Sequence, residues 1–253
     1  WFLPIFLKRG IFTMPQFLEE RFDKRVKTVM AFFWLIVFVF VNLPSILYLG
    51  ALTIQSVMGI PLLYGVIGLA LFAVVYSING GLKAVALTDV IQVFFLVGGG
   101  LITTYIALDL LGAGEGVLKG CETLYLKTED KFHLILDPSH PGYMDLPGLS
   151  VILGGLWVGN LYYWGCNQYI IQRALAAKNI KEAQWGMAFA GVIKLLIPLL
   201  VVIPGIAAFA LDAPLSKPDE AYPWLLGNLL PVGVKGIAFA ALTAAIVSSL
   251  ASM

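Results

Sequence analysis

The amino-acid sequence predicts an all-α, polytopic membrane protein, on three observations: a shortage of charge, the length of its apolar runs, and basic residues gathered on alternate connections. Of 253 residues, 60% are hydrophobic and 12% are charged, whereas a soluble domain carries about 25% charged residues. So few charges cannot solvate the outside of a water-soluble globule. The 16 basic and 15 acidic residues leave a net charge of +1. That balance excludes the basic footprint of a nucleic-acid binder and the acidic bias of a disordered tail.

Crossing about 30 Å of hydrocarbon takes roughly 20 helical residues. Apolar stretches of that order are expected near 29–56, 60–80, 85–111, 149–171 and 185–210, with a sixth over 233–253. Residues 1–7 (WFLPIFL) read as the last turns of a further helix, and the first residue is Trp1. The expectation is therefore one transmembrane domain, 1–253, as a fragment of a longer transporter-sized protein. Lys8, Arg9, Arg21, Lys24, Arg25, Lys27, Lys83, Arg173, Lys178 and Lys181 fall on one set of connections. The other set holds only Lys119, Lys127, Lys131 and Lys217. The positive-inside rule puts the first set in the cytoplasm and the long 112–148 loop outside, in a cell membrane.

Nothing in the sequence reads as an enzyme. His133 and His140 lack a second metal-type ligand at helical spacing, and no catalytic triad, phosphate-binding glycine loop or paired-carboxylate site is visible. Cys121 in the outer loop and Cys166 in the fourth stretch are placed too far apart for a bridge.

In a bilayer the polar residues carry the information, because each needs a partner and water is absent. The fourth stretch reads GGLWVGNLYYWGCNQYIIQR, with Gly154, Gly155, Gly159 and Gly165 weakening its helix. Asn160, Tyr163 and Asn167 fall on one helical face, with Trp164 beside them. An amide bonds hydroxyls and an aromatic face packs on the C–H face of a ring, so this set suits a hydroxyl-rich solute. The competing explanation is an interfacial aromatic belt with glycines for close helix packing. Lys194 lies about ten residues into the fifth stretch, roughly 15 Å deep at the helical rise. A central lysine is disfavoured by at least about 2.5–3.5 kcal/mol, so it either serves a ligand or pairs with an acidic or carbonyl group.

The last stretch, AALTAAIVSSLASM, holds Ala245, Ser248, Ser249 and Ser252. Hard cations take oxygen ligands, and two adjacent hydroxyls with a carbonyl three or four residues earlier supply three. Serine hydroxyls in membrane helices also bond their own i−4 carbonyl, which is the alternative. Asp89, beside Thr88 at the start of the third stretch, fits a helix N-cap. Asn42, just before Pro44, fits a kink.

Three segments carry a family resemblance: GGLWVGNLYYWGCNQYIIQRALAAK, YSINGGLKAVALTDVIQVFFLVGG and PVGVKGIAFAALTAAIVSSLASM. They resemble the sodium:solute symporter family, in its branch of sodium/galactose and sodium/glucose cotransporters, and the likeness runs along essentially the whole chain. The resemblance implies an inverted five-helix-repeat (LeuT-type) transporter core with broken helices and a midplane site. It implies that the chain holds the end of core helix two through most of helix eight, without helices one and ten, so that the segment alone does not transport. It also implies sodium-coupled sugar symport by alternating access, with Na⁺ as coupling ion, no organic cofactor and a small neutral sugar as partner. Asn160, Tyr163, Trp164 and Lys194 then match sugar-site positions, with Tyr163 as inner gate. Ala245 (by its carbonyl), Ser248 and Ser249 match the sodium site, and Asp89 and Tyr76 match the ion's inner path. Two rivals follow: a same-family symporter for myo-inositol, proline or pantothenate, and a symporter-like membrane sensor of a signalling protein.

Overall fold

The computed structural model describes residues 2–133, 135–144 and 148–253, with the side chains of residues 79 and 82–84 outside that description. Lys83 of the charge count and parts of the 112–148 loop therefore lie outside the described residues. The described chain is helical, without strands. In order the helices are α1 (Phe2–Arg9), α2 (Met14–Arg21), α3 (Lys24–Val37), α4 (Leu43–Met58), α5 (Leu62–Leu111) and α6 (Val117–Lys127). They continue as α7 (Leu156–Gly165), α8 (Gln168–Leu175), α9 (Ile180–Lys194), α10 (Ile203–Ala210), α11 (Ala221–Asn228) and α12 (Val232–Ser252). Among the described residues, four helical runs are long and apolar enough to cross a bilayer: Lys24–Met58, Val85–Leu111, Ile180–Ala210 and Val232–Ser252. Leu62–Ile78 is a shorter apolar helix.

The helices fall into two compact units, 1–36 with 130–194 and 37–129 with 195–253. In the first unit, local side-chain chemistry sets the helix ends. Thr13 accepts from the Gln16 amide at 3.3 Å to cap α2, with Pro15 in the first turn. Asp23 accepts from the Val26 amide at 2.8 Å to cap α3. Asn179 Oδ1 accepts from the Glu182 amide at 2.9 Å to cap α9, and Asn179 Nδ2 donates to the Glu182 carboxylate at 3.1 Å. Phe6, Ile11 and Met14 from the start of the chain bury against Ile171 and Leu175 of α8.

The second unit is built along α5, and α12 and α4 pack on it. Small residues are buried in these helices and in α10, which also packs on α5: Ala51, Ala73, Ala107, Ala207, Ala208, Ala238 and Ala241. Lipid is as apolar as a leucine core, so helices in a membrane gain by close backbone approach rather than by exclusion of water. Gly81 interrupts α5 between the 60–80 and 85–111 stretches with φ 56° and ψ −172°, a conformation open essentially to glycine alone. Bends elsewhere are wound wider: π-helical turns at Phe38–Asn42 and Pro198–Val202 precede α4 and α10. Both sit beside prolines, which cannot donate to the helical ladder. Thr104 of α5 reaches the second turn and donates to the Leu199 carbonyl at 2.6 Å.

Candidate functional site

The fourth apolar stretch is divided. A π-helical turn over Val151–Gly155 leads into α7, the chain leaves helical geometry at Cys166 (φ −132°) and Asn167 (φ −78°, ψ 120°), and α8 then begins. Asn160, Tyr163 and Trp164 lie on α7, before the break. Asn167 does not join them: the break takes it off the face it would share with Asn160 on a continuous helix. It is 4% exposed, with its Oδ1 unpartnered.

The four expected ring-binding residues form one linked group within the first unit. The Lys194 ammonium sits 3.5 Å from the Trp164 ring centroid, close enough for a strong cation–π contact. The Trp164 indole N–H donates to Asn160 Oδ1 at 3.3 Å, and Asn160 Nδ2 donates to the Leu156 carbonyl at 2.9 Å. The Tyr163 ring stands edge-on to Trp164, with centroids 5.0 Å apart at 80°. Lys194 therefore pairs with an indole face, rather than with the acid or carbonyl that the sequence left open. Tyr163 and Trp164 are each 37% exposed. A cavity of about 460 Å³ opens against the group, lined by Phe2 and Phe6 of α1, Trp157, Asn160 and Trp164 of α7, and Gln184 of α9. Its size falls within the range of small-molecule sites, and its mostly apolar wall with a few convergent polar groups matches their composition. Tyr163 and Lys194 do not line it.

The expected ion ligands lie in the second unit, on α12. Ser248 is 3% exposed, and its hydroxyl donates to the Asp89 carboxylate of α5 rather than to its own i−4 carbonyl. Ser252 takes the local route, donating to the Ser248 carbonyl at 2.6 Å. Ala245 and Ser249 are half-buried on the same helix. Asp89 is not an N-cap, because α5 runs continuously through it from the Gly81 break. Tyr76, before that break, meets the hydroxyl of Thr88, after it. Tyr76, Thr88, Asp89 and Ser248 thus form a run of hydroxyls and one carboxylate between α5 and α12.

Sequence reasoning missed Tyr169, whose hydroxyl lies 2.7 Å from that of Tyr163. Six residues on, it sits about 120° around a continuous helix, so periodicity gives no hint of the pair. It also missed Gln168, which accepts from the Met14 amide at 3.0 Å and donates to the Phe12 carbonyl at 3.3 Å. No local pattern connects those positions.

These elements define a multi-pass helical membrane protein, and comparison with solved structures gives its fold. The fold matches a Na⁺-coupled sialic acid symporter, caught substrate-bound and outward-open, with a TM-score of 0.82 at 23% identity, over 99% of this chain and 52% of that one. The architecture is that of the LeuT-type transporters. Residues 1–253 match the sodium:solute symporter family from end to end, and the chain belongs to that family. A sodium/glucose cotransporter of Vibrio parahaemolyticus is 54% identical over 270 residues, covering 100% of this chain and 50% of the relative. An uncharacterized symporter, YidK, of Escherichia coli K12 is 39% identical over 258 residues, covering 98% and 44%. The chain spans about half the length of the curated relatives it matches.

Proposed function

We propose that the protein is a sodium-coupled sugar symporter of the cell membrane, the bacterial inner membrane, working by alternating access and carrying out no covalent chemistry. The observation that carries the reading is the linked group Lys194–Trp164–Asn160, with Tyr163 edge-on beside it. An ammonium and an amide offer donors and acceptors to hydroxyls, while indole and phenol rings offer faces to a pyranose. The name of the Vibrio relative, a sodium/glucose cotransporter, supports the same solute class. Asn160 and Lys194 would bond the sugar, and Tyr163 would stack on its ring as the inner gate, with Trp164 beside it.

Sodium is the coupling ion in this reading. The Ala245 carbonyl and the Ser248 and Ser249 hydroxyls would hold it, with Asp89 and Tyr76 along its path inward. A serine that gives its proton to a carboxylate, as Ser248 does to Asp89, keeps its oxygen lone pairs for a cation. Coupling requires that bound sodium raise sugar affinity and that sugar raise sodium affinity by the same factor.

The test is sodium-driven uptake of radiolabelled galactose by the full-length protein in proteoliposomes, competed with glucose, myo-inositol, proline and pantothenate. Saturable galactose uptake competed best by glucose, with no accumulation in the absence of a sodium gradient, is the expected result. Competition by proline alone would overturn the sugar reading. Flux that neither saturates nor accumulates against a gradient would mark a channel instead.

A further inference from the structure

We infer that Tyr169 is a positioning residue for Tyr163, and that Gln168 ties it to the α1–α2 connection, so that a hydroxyl pair across the α7–α8 break sets the aromatic wall of the sugar site. The inference rests on the reading of Tyr163 proposed above.

On an unbroken helix, Tyr163 and Tyr169 would point about 120° apart and lie about 9 Å apart along the axis. The departure from helical geometry at Cys166 and Asn167 is what lets the two hydroxyls meet at 2.7 Å. The rings stand edge to face, with centroids 6.1 Å apart at 81°. The tyrosine hydroxyl lies on the axis of its second torsion, so holding it fixes the first torsion and the position of the ring, while the edge contact with Trp164 sets the ring plane. Tyr163 in turn sets its ring against Trp164, whose N–H is already committed to Asn160. Pinning Tyr163 therefore pins two faces of the group.

Tyr169 is itself held. Arg173 Nη1 donates to its carbonyl at 3.3 Å. The preceding residue, Gln168, grips the chain between α1 and α2 through both ends of its amide, accepting from Met14 N–H and donating to Phe12 C=O. The first turn of α8 thus moves with the α1–α2 connection. A displacement of that connection reaches Tyr163 through one side-chain amide and one hydroxyl pair.

The experiment compares wild type, Tyr169→Phe, Tyr163→Phe, the double variant and Gln168→Met in full-length protein. Sugar KM, kcat, half-saturating sodium, sodium-free sugar efflux and thermal stability are read for each. Tyr169→Phe is expected to raise sugar KM and sodium-free efflux about 2- to 10-fold, the range that loss of one hydrogen bond gives. In the Tyr163→Phe background it should change nothing further, because both substitutions delete the same bond. Gln168→Met should shift sugar KM in the same direction and leave half-saturating sodium alone. A Tyr169→Phe variant with wild-type KM and efflux overturns the inference while leaving the sugar reading intact. So does an effect that persists undiminished in the Tyr163→Phe background, or one seen only as a lower melting temperature. Wild-type protein without sodium-driven sugar uptake removes the site reading and this inference together.

Discussion

Replacing Lys194 with methionine separates a ligand-binding lysine from a structural one. The ammonium lies 3.5 Å from the Trp164 centroid. Such a contact contributes about 0.5–1 kcal/mol at an exposed site and about 2 kcal/mol when desolvated. Removing it leaves the indole held by its bond to Asn160 and its edge contact with Tyr163. In the proposed site the substitution would also delete a hydrogen-bond donor to the solute, with a net effect of about 0.5–1.5 kcal/mol. Taken together these predict a loss of about 1–3 kcal/mol in sugar binding, or roughly 5- to 150-fold. Methionine keeps a flexible apolar stem of similar length, so the effect is not one of lost packing. Lys194→Arg retains the charge over the ring and should lose about threefold or less. The assay is equilibrium binding of labelled sugar at saturating sodium, alongside half-saturating sodium for uptake. A shift in sodium dependence larger than that in sugar affinity would refute the argument and make Lys194 a structural residue.

Three further outcomes are expected. Ser249→Ala should raise the sodium concentration for half-maximal uptake with the protein still folded, and an unchanged sodium curve removes Ser249 from the ion site. Asp89→Asn keeps an acceptor for the Ser248 hydroxyl, whereas Asp89→Leu strands that buried hydroxyl at a cost of about 1–3 kcal/mol; the leucine variant should therefore melt about 2–12 °C lower than the asparagine variant. A Cβ on Gly120 would lie 1.9 Å from the Leu108 carbonyl oxygen, so Gly120→Ala must push α6 off α5 by roughly 1 Å and destabilise by about 1–3 kcal/mol; an unshifted melting curve would show that the two helices do not pack so closely.

Some of the site was legible from spacing alone. Asn160 and Trp164 are four apart on one helix, so their contact follows from the helical repeat. Lys194 was conspicuous because a lysine in an apolar run demands an explanation, yet its partner on α7 lies 30 residues away and carries no charge to advertise it. The capping role read for Asp89 failed because capping depends on where a helix starts. The chain around Asp89 continues as helix, and the carboxylate turns to Ser248 on α12 instead. The Tyr163–Tyr169 pair contradicts helical spacing outright, since the break at Cys166–Asn167 resets the phase of every residue after it.

By itself the sequence determined the class of molecule. Hydrophobic run length and charge content are properties of each segment alone, and transfer into a bilayer acts on segments one at a time. Tertiary structure decided which hydroxyl, amide and ammonium groups meet. In hydrocarbon a polar group takes whatever partner the packing of helices brings within about 3 Å. That partner depends on where helices break and cross, as at Gly81 and at Cys166–Asn167, and those geometries belong to pairs of segments rather than to any one of them.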